Sequence, residues 1–301
     1  MKKVSIIIPC YNEAQVLPKS IMQLLTLKDE IKSKGCEVEF VMVNDGSTDD
    51  TLNKLVQFKS EMPEQVRIVQ LTGNFGSYNA LLAGCHYATG DCCVQLHADL
   101  QDPPSHIPLM IDHWMSGFKL VIGQRVKREA EDLFYGISAR IYHLMMKNAM
   151  PYIPDGGYDL ILFDREICDH LVRINETNTN LVYLISWLRY PYAVVPVIRG
   201  SRRDGKSKWN FPKRTKLVID SFVAFSYLPI RIVTLTGILS VFAFIAASVL
   251  VFTVPWFTVW HWVAALLTMM LFVNLSIIAE YLWRDLEASR KRPPFVVDKV
   301  F

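Results

Sequence analysis

Between positions 232 and 279 the sequence has no Lys, Arg, Asp or Glu, and His261 is the only imidazole there. Soluble helices rarely lack a polar face, so this absence argues against a wholly soluble chain. Charge is sparse overall, with 20% charged residues and a net charge of +3, a balance that does not suggest nucleic acid as a partner. The six cysteines show no CxxC spacing and no paired framework, which fits a reducing compartment. No GxGxxG follows the first apolar run, so a dinucleotide fold of the usual type is not expected. A signal peptide is not expected either, because the apolar stretch after Met1-Lys2-Lys3 ends at Pro9. Internal repeats and low-complexity segments are absent.

What is present begins with length: 301 residues suffice for one sizeable α/β domain and an appendage. Hydrophobic residues reach 51% and mean hydropathy is +0.21, the excess lying in the charge-free run. Pro255, Trp256, Phe257, Trp260 and Trp262 interrupt that run, which predicts two helices joined by an interfacial turn. Placed at about 232–254 and 259–279, they measure roughly 34 and 31 Å, each enough to cross a bilayer. Lys213, Arg214, Lys216 and Arg231 precede the first span, and Arg284, Arg290, Lys291 and Arg292 follow the second. The intervening turn has no Lys or Arg, so both termini are expected in the cytoplasm. Residues 215–227 set Leu217, Val218, Phe222 and Phe225 against Lys216 and Asp220, a pattern for a helix lying in the membrane interface. The basic stretch from Arg199 to Lys216 suits anionic headgroups or substrate phosphates.

Ahead of that stretch the pattern is α/β. Val4–Ile8 is a short apolar, β-branched run of the kind found in buried parallel strands. Val38–Val43, Val66–Leu71 and Cys92–Leu96 repeat it, with helical patterns after the first two and over Asn79–Thr89. Ser47 or Thr48 is placed to cap the second helix. Strand and helix alternating at this spacing imply a parallel sheet with crossover helices. In such sheets ligands sit beyond the carboxyl ends of the strands. Polar residues cluster at three of those ends: Asn12 and Glu13, Asn44 and Asp45, then Asp99 and Asp102. The segment from Leu120 to Tyr190 carries no clear period.

Specific motifs sharpen this reading. Pro9-x-Tyr11-Asn12-Glu13, Asn44-Asp45-Gly46-Ser47-x-Asp49, Asn74-Phe75-Gly76 and Ala98-Asp99-Leu100-Gln101-Asp102-Pro103-Pro104 follow one another in order. Arg199-x-x-Arg202-x-x-Gly205-x-Ser207-Lys208-Trp209, Phe225-Ser226-x-x-Pro229-x-Arg231, Glu280-Tyr281-x-x-Arg284 and Arg292-Pro293 continue the series. Over nearly its whole length the chain resembles family 2 glycosyltransferases of the polyprenyl-phosphate type, such as bactoprenol glucosyltransferases and dolichyl-phosphate mannosyltransferases. The resemblance implies a Rossmann-like α/β catalytic domain of the A-type glycosyltransferase fold over 1–212. An interfacial helix over 213–230, two transmembrane helices within 231–281 and a cytoplasmic basic tail over 282–301 would follow. It also implies inverting transfer from a nucleotide diphosphate sugar, with UDP the expected nucleotide, to undecaprenyl phosphate at the cytoplasmic membrane face. The product would supply cell-envelope glycan or lipopolysaccharide modification, and relatives of this type suggest a homo-oligomer in the membrane.

Breaking a sugar–diphosphate bond requires charge neutralisation on the departing diphosphate. Mg²⁺ or Mn²⁺ held by one or two carboxylates and the substrate phosphates does this. Asp99 is the natural ligand and Gln101 can add a carbonyl oxygen. The family usually has an Asp two residues before the metal Asp, and here that residue is His97. It can bind Mn²⁺, contact a phosphate or order the loop. The resemblance implies donor contacts from Pro9, Tyr11, Glu13, Asp45, Ala98 and Asp99; Glu13 and Asp45 suit ribose and base, with helix capping the competing role for both and a live one for Asp45. A lipid monophosphate should be gripped by arginine, for which Arg125, Arg128 and Arg202 are candidates, with Ser138, Arg140 and Lys208 behind them. A solvated basic face would account for Arg128 and Arg140 as well. Asp159 falls on the family's acidic position for base or sugar ligand, but the arginine expected two residues later is Ile161. Three alternatives stay open. A processive synthase would need a Gln-x-x-Arg-Trp motif, which Trp187-Leu188-Arg189-Tyr190 does not match. The others are transfer to another lipid or glycan acceptor, and a non-catalytic membrane scaffold.

Overall fold

Val4, Ile6 and Ile8 share one face of the first strand and Ser5 and Ile7 the other, and all five are buried. A strand apolar on both faces must lie between two layers. The computed structural model describes residues 1–125, 147, 158–174, 181–198, 223, 228–250 and 256–301. In it β1 (Lys2–Cys10), β2 (Cys36–Asn44), β3 (Val66–Leu71) and β4 (Cys92–Gln95) alternate with α1 (Leu17–Ser33), α2 (Thr51–Glu61) and α3 (Ser77–Tyr87). These strands and helices match the sequence expectation to within a few residues. Beyond them come α4 (Ile107–Met115), β5 (Leu120–Arg125), β6 (Tyr158–Asp164), α5 (Arg165–Arg173), α6 (Leu181–Trp187) and β7 (Tyr192–Val197). Two long helices, α7 (Leu228–Leu250) and α8 (Trp256–Ser289), precede a last strand, β8 (Val297–Val300).

The eight strands form one sheet in the order β7-β5-β6-β4-β1-β2-β3-β8. The four strands read from the sequence, β1 to β4, are mutually parallel as expected, but the sheet as a whole is mixed. β1 to β4, β5 and β7 run one way, whereas β6 is antiparallel to β4 and β5, and β8 is antiparallel to β3. An apolar run reports that both faces are covered, and says nothing of strand direction. On one face Leu17, Leu24, Leu27 and Ile31 of α1, Phe58 of α2 and Trp114 of α4 join the core. On the other, α3 lies so close to β1 that a Cβ on Gly84 would come within 2.1 Å of Ile7 Cγ2. All six cysteines are free and buried.

Contacts divide the chain into two units, one of Met1–Ile141, Tyr152–Asn210 and Pro293–Phe301, the other of Tyr142–Pro151 and Phe211–Arg292. The expected basic tail over 282–301 is therefore divided. Its first residues continue α8 to Ser289, and its last form β8 and, just past that strand, Phe301, which exchanges backbone hydrogen bonds with Ile68. The hydrophobic pattern gave no warning, because β8 is only four residues long, two of them charged, and mostly exposed.

In the second unit, Thr236 of α7 donates to Asn274 Oδ1 of α8 at 2.6 Å. Large side chains such as Phe242, Ile245, Met269 and Phe272 stand exposed. Among the described residues one helix, Trp262–Ser289, is long and apolar enough to cross a membrane, and Pro229–Ala243 is a shorter apolar helix. With 34 residues, α8 runs about 51 Å, well beyond a hydrocarbon core of about 30 Å. Its polar end holds the ion pair of Arg284 with Glu280 at 2.8 Å, so two residues of the sequence motif bind each other. Apart from Val223, which is helical, the expected interfacial helix over 213–230 lies outside the described residues until α7 begins.

Candidate functional site

The sheet gathers the sequence motifs along one edge. β1, β2 and β4 end there, leading into Tyr11–Glu13, Asp45 and His97–Asp102, and β5 and β7 end there at Arg125 and Val197. β6 runs the opposite way, so its beginning, with Asp159, lies on the same edge. The pairing of β5 with β6 passes from Gly123–Leu160 to Gln124–Tyr158, leaving Asp159 as a bulge. Bulges re-aim a strand next to sites of this kind. Ile161, two residues on, is wholly buried in the sheet.

The first two loops are laced together. Asn12 takes a left-handed φ of 52°. Its N–H donates to Ser47 Oγ at 3.0 Å, and its Oδ1 accepts from the Thr48 N–H at 2.8 Å. The Glu13 N–H donates to Thr51 Oγ1 and the Ala14 N–H to Asp49 Oδ2. Ser47 and Thr48 thus serve Asn12 and not the start of α2, which has no side-chain cap; this corrects the capping expectation. Asp49 in turn accepts from Thr51; burial pushes its carboxyl up, but these hydrogen bonds outweigh it and leave it below the usual range.

Asp45 is buried and accepts the backbone N–H groups of Phe75 and Gly76, at 2.7 and 2.9 Å. Burial raises its pKa against the opposing pull of those two amides. Gly76 immediately precedes α3, so Asp45 does act at a helix start, although that helix is α3. Carboxylate oxygens keep further lone pairs after one bond each. Gly46 next to it has φ +64°, and an added Cβ would sit 2.4 Å from the Gly73 carbonyl carbon. Only glycine allows these two loops to approach so closely.

The loop after β4 is a tight turn. The Leu100 N–H donates to the His97 carbonyl at 3.1 Å, and Leu100 itself is left-handed with φ 47° while its side chain packs in the core. The Gln101 N–H approaches Asp99 Oδ1 at 3.4 Å. From behind, Ser20 of α1 donates to the Ala98 carbonyl at 2.7 Å. His97, Asp99 and Gln101 are half-buried around this turn, with Ala98 and Asp102 buried. Among the described residues no three His, Cys, Asp or Glu side chains converge to hold a metal by themselves. One carboxylate with an amide oxygen two residues on suits a hard divalent ion that arrives with a diphosphate. Pro9, Tyr11 and Glu13 are half-buried beside this turn's edge. Arg128, Ser138, Arg140, Arg202 and Lys208 lie outside the described residues. Sequence reasoning missed Ser20, although it is the one hydroxyl in the α1 stripe Leu17, Ser20, Leu24, Leu27, Ile31.

Known proteins resemble the chain at both levels. The uncharacterized glycosyltransferase YkcC of Bacillus subtilis is 31% identical, over 99% of this chain and 94% of that protein. The prophage bactoprenol glucosyl transferase homolog of Escherichia coli is 28% identical over 99% of each. The undecaprenyl-phosphate 4-deoxy-4-formamido-L-arabinose transferase of Pectobacterium atrosepticum is 29% identical, over 99% of this chain and 94% of that one. Among solved structures, glucosyl-3-phosphoglycerate synthase of Mycobacterium tuberculosis superposes with TM-score 0.53 at 15% identity, covering 74% of this chain and 80% of its own. A second structure of that enzyme, with Mn²⁺ and UDP-glucose bound alongside phosphoglyceric acid, gives 0.50. At this identity the likeness speaks for the A-type glycosyltransferase fold alone. Residues 5–172, more than half the chain, match the description Glycosyl transferase family 2, and the chain belongs to that family.

Proposed function

We propose that the protein transfers a sugar from a UDP-sugar to undecaprenyl phosphate at the cytoplasmic face of the cytoplasmic membrane. The observation carrying this reading is the single sheet edge that holds Asp99, Asp159 and the Glu13 loop together. The names of two full-length relatives, both lipid-directed, support the acceptor. Pro9 and Tyr11 wall the base, Glu13 takes the ribose hydroxyls, and Asp45 reaches the base with lone pairs that Phe75 and Gly76 leave over. Asp99, with Gln101 and the Ala98 turn, would hold Mg²⁺ or Mn²⁺ against the donor diphosphate. When bound, the ion neutralises charge on the departing diphosphate.

A lipid monophosphate is already largely dianionic near neutral pH, its second pKa lying near ~6. It therefore needs orientation more than deprotonation. Arg125, Arg128 and Arg202 grip it, with Ser138 and Lys208. A phosphate oxygen forms the new bond to the anomeric carbon as the bond to the nucleoside diphosphate breaks, a single displacement that inverts configuration. Asp159 then serves as a ligand for the sugar hydroxyls. The α7–α8 hairpin supplies two membrane spans, with both termini cytoplasmic and a second copy packed through these helices.

Membranes containing the protein, given undecaprenyl phosphate and labelled nucleotide sugars, should yield label extractable into organic solvent. The label should appear with a UDP-sugar and vanish on chelation. Folded protein that extracts no label from any nucleotide sugar would defeat the reading.

A further inference from the structure

We propose that Ser20 is a positioning residue that sets the metal-loop geometry and couples it to the nucleotide loop. Four positions in the buried stripe of α1 are apolar and pack the core; Ser20 alone brings a hydroxyl there and is 5% exposed. A buried hydroxyl is costly unless bonded, so its partners indicate its use. It has two. The shorter contact, 2.7 Å, is donation to the Ala98 carbonyl, across a sequence separation of 78. The longer, 3.2 Å, is to the Val16 carbonyl on its own helix, the usual back-bond of a helical serine. One proton cannot serve both fully, and distance favours Ala98.

Each partner belongs to one half of the donor site. Val16 donates its N–H to the Glu13 carbonyl, closing the loop that carries Tyr11 and Glu13. The Ala98 carbonyl belongs to the peptide that leads into Asp99, and its tilt sets the direction in which Asp99 leaves the turn. Leu100, left-handed and anchored in the core, fixes the other side of the same turn. Asp99 is thus held between two anchors, Ser20 behind and Leu100 ahead. If the Ser20 proton is lost, the Ala98 carbonyl is left buried without that donor. The simplest relief is rotation of the Ala98–Asp99 peptide, which swings the carboxylate. Displacements near 1 Å at a reacting centre cost on the order of a hundredfold in rate. The leucine stripe would register nothing.

This inference rests on the proposed donor site, so the test separates the two. Full-length protein in detergent would be titrated with Mn²⁺ in the presence of UDP, and free Mn²⁺ read by electron paramagnetic resonance. Ser20→Ala should raise the Mn²⁺ dissociation constant roughly tenfold, the low end of the loss when a group that orients a metal ligand is removed. The Mn²⁺ concentration for half-maximal transfer should rise in parallel. Ser20→Thr, which keeps the donor, should restore most of the affinity, and Ser20→Cys, a weak donor, should fall between. Ile31→Val, at the far end of the same stripe, should lower the melting temperature and leave Mn²⁺ affinity unchanged. Wild-type affinity in Ser20→Ala or Ser20→Cys, whatever their melting temperatures, would overturn the role of Ser20 alone. Absence of UDP-dependent Mn²⁺ binding in the wild type would overturn the proposed site together with it.

Discussion

Glu39 offers a perturbation of stability that should leave chemistry untouched. Its side chain is 4% exposed, and its oxygens accept from Ser5 Oγ, from the Thr89 N–H and hydroxyl, and from Lys3 Nζ at 2.9 Å. Burial alone would push the carboxyl up; the hydrogen bonds outweigh it and hold the pKa at about 2, against an ordinary 4.5. At about 1.4 kcal/mol per unit, the charged form contributes on the order of 3 kcal/mol to folding at neutral pH. Glu39→Gln keeps the shape and forfeits that contribution, since its NH₂ faces donors. For a unit of this size each kcal/mol moves the melting temperature by roughly 2–4 °C, so a fall of about 6–12 °C is expected.

The sign of the pH dependence follows. A depressed carboxyl pKa stabilises fully above the unfolded value and ceases to do so as pH falls through the folded one. The gap between wild type and Glu39→Gln should therefore be constant above about pH 5 and narrow toward pH 2. Thermal unfolding of the full chain in detergent, followed by circular dichroism, measures it. Transfer at a permissive temperature should persist, because Glu39 lies five residues before the strand end that leads into the site. Glu39→Gln melting within about 2 °C of wild type at pH 7 would refute the account of this knot.

Gly46→Ala combines a left-handed strain with a backbone overlap, and should cost at least ~2 kcal/mol and weaken UDP binding, measured by calorimetry. Unchanged affinity would mean the two loops can part without harm to the site. Asp99→Asn should reduce metal-dependent transfer by about a hundredfold or more, whereas His97→Ala should keep measurable activity and His97→Asp should favour Mg²⁺ over Mn²⁺. A folded His97→Ala as inactive as Asp99→Asn would make the imidazole a ligand. Reporters fused after Phe301 should read cytoplasm and reporters inserted near Thr258 the far side, and a cytoplasmic signal at Thr258 would defeat the two-span topology.

The parallel half of the fold was legible because its strands are buried on both faces. Ile6, Val41, Val69 and Val94 leave no doubt that layers cover them. The other half was not, for identifiable reasons. β7 alternates exposed and buried residues, and β6 runs backwards between parallel neighbours, which hydrophobicity does not encode. The site's ingredients were legible as motifs, but their wiring was not. Ser47 and Thr48 have cap chemistry and serve Asn12 across a loop, while Asp45, read as a donor contact or a helix cap, accepts the amides of Phe75 and Gly76 at the start of α3. Ser20 carried a signal, a lone hydroxyl in an apolar stripe, that needed its partner 78 residues away to acquire meaning.

β8 has a consequence for biogenesis. It pairs with β3, yet it follows both long helices in the chain. During synthesis the β3 edge must wait, with its amides and carbonyls unpaired, until the hydrophobic hairpin has been made. Unpaired edges recruit other strands. A nascent chain stalled after residue 250 would thus carry two sticky surfaces at once, an open sheet edge and an unpartnered apolar helix. Synthesis of the two long helices and closure of the sheet are ordered events, and the glycosyltransferase domain is completed only after the segment behind it has been made.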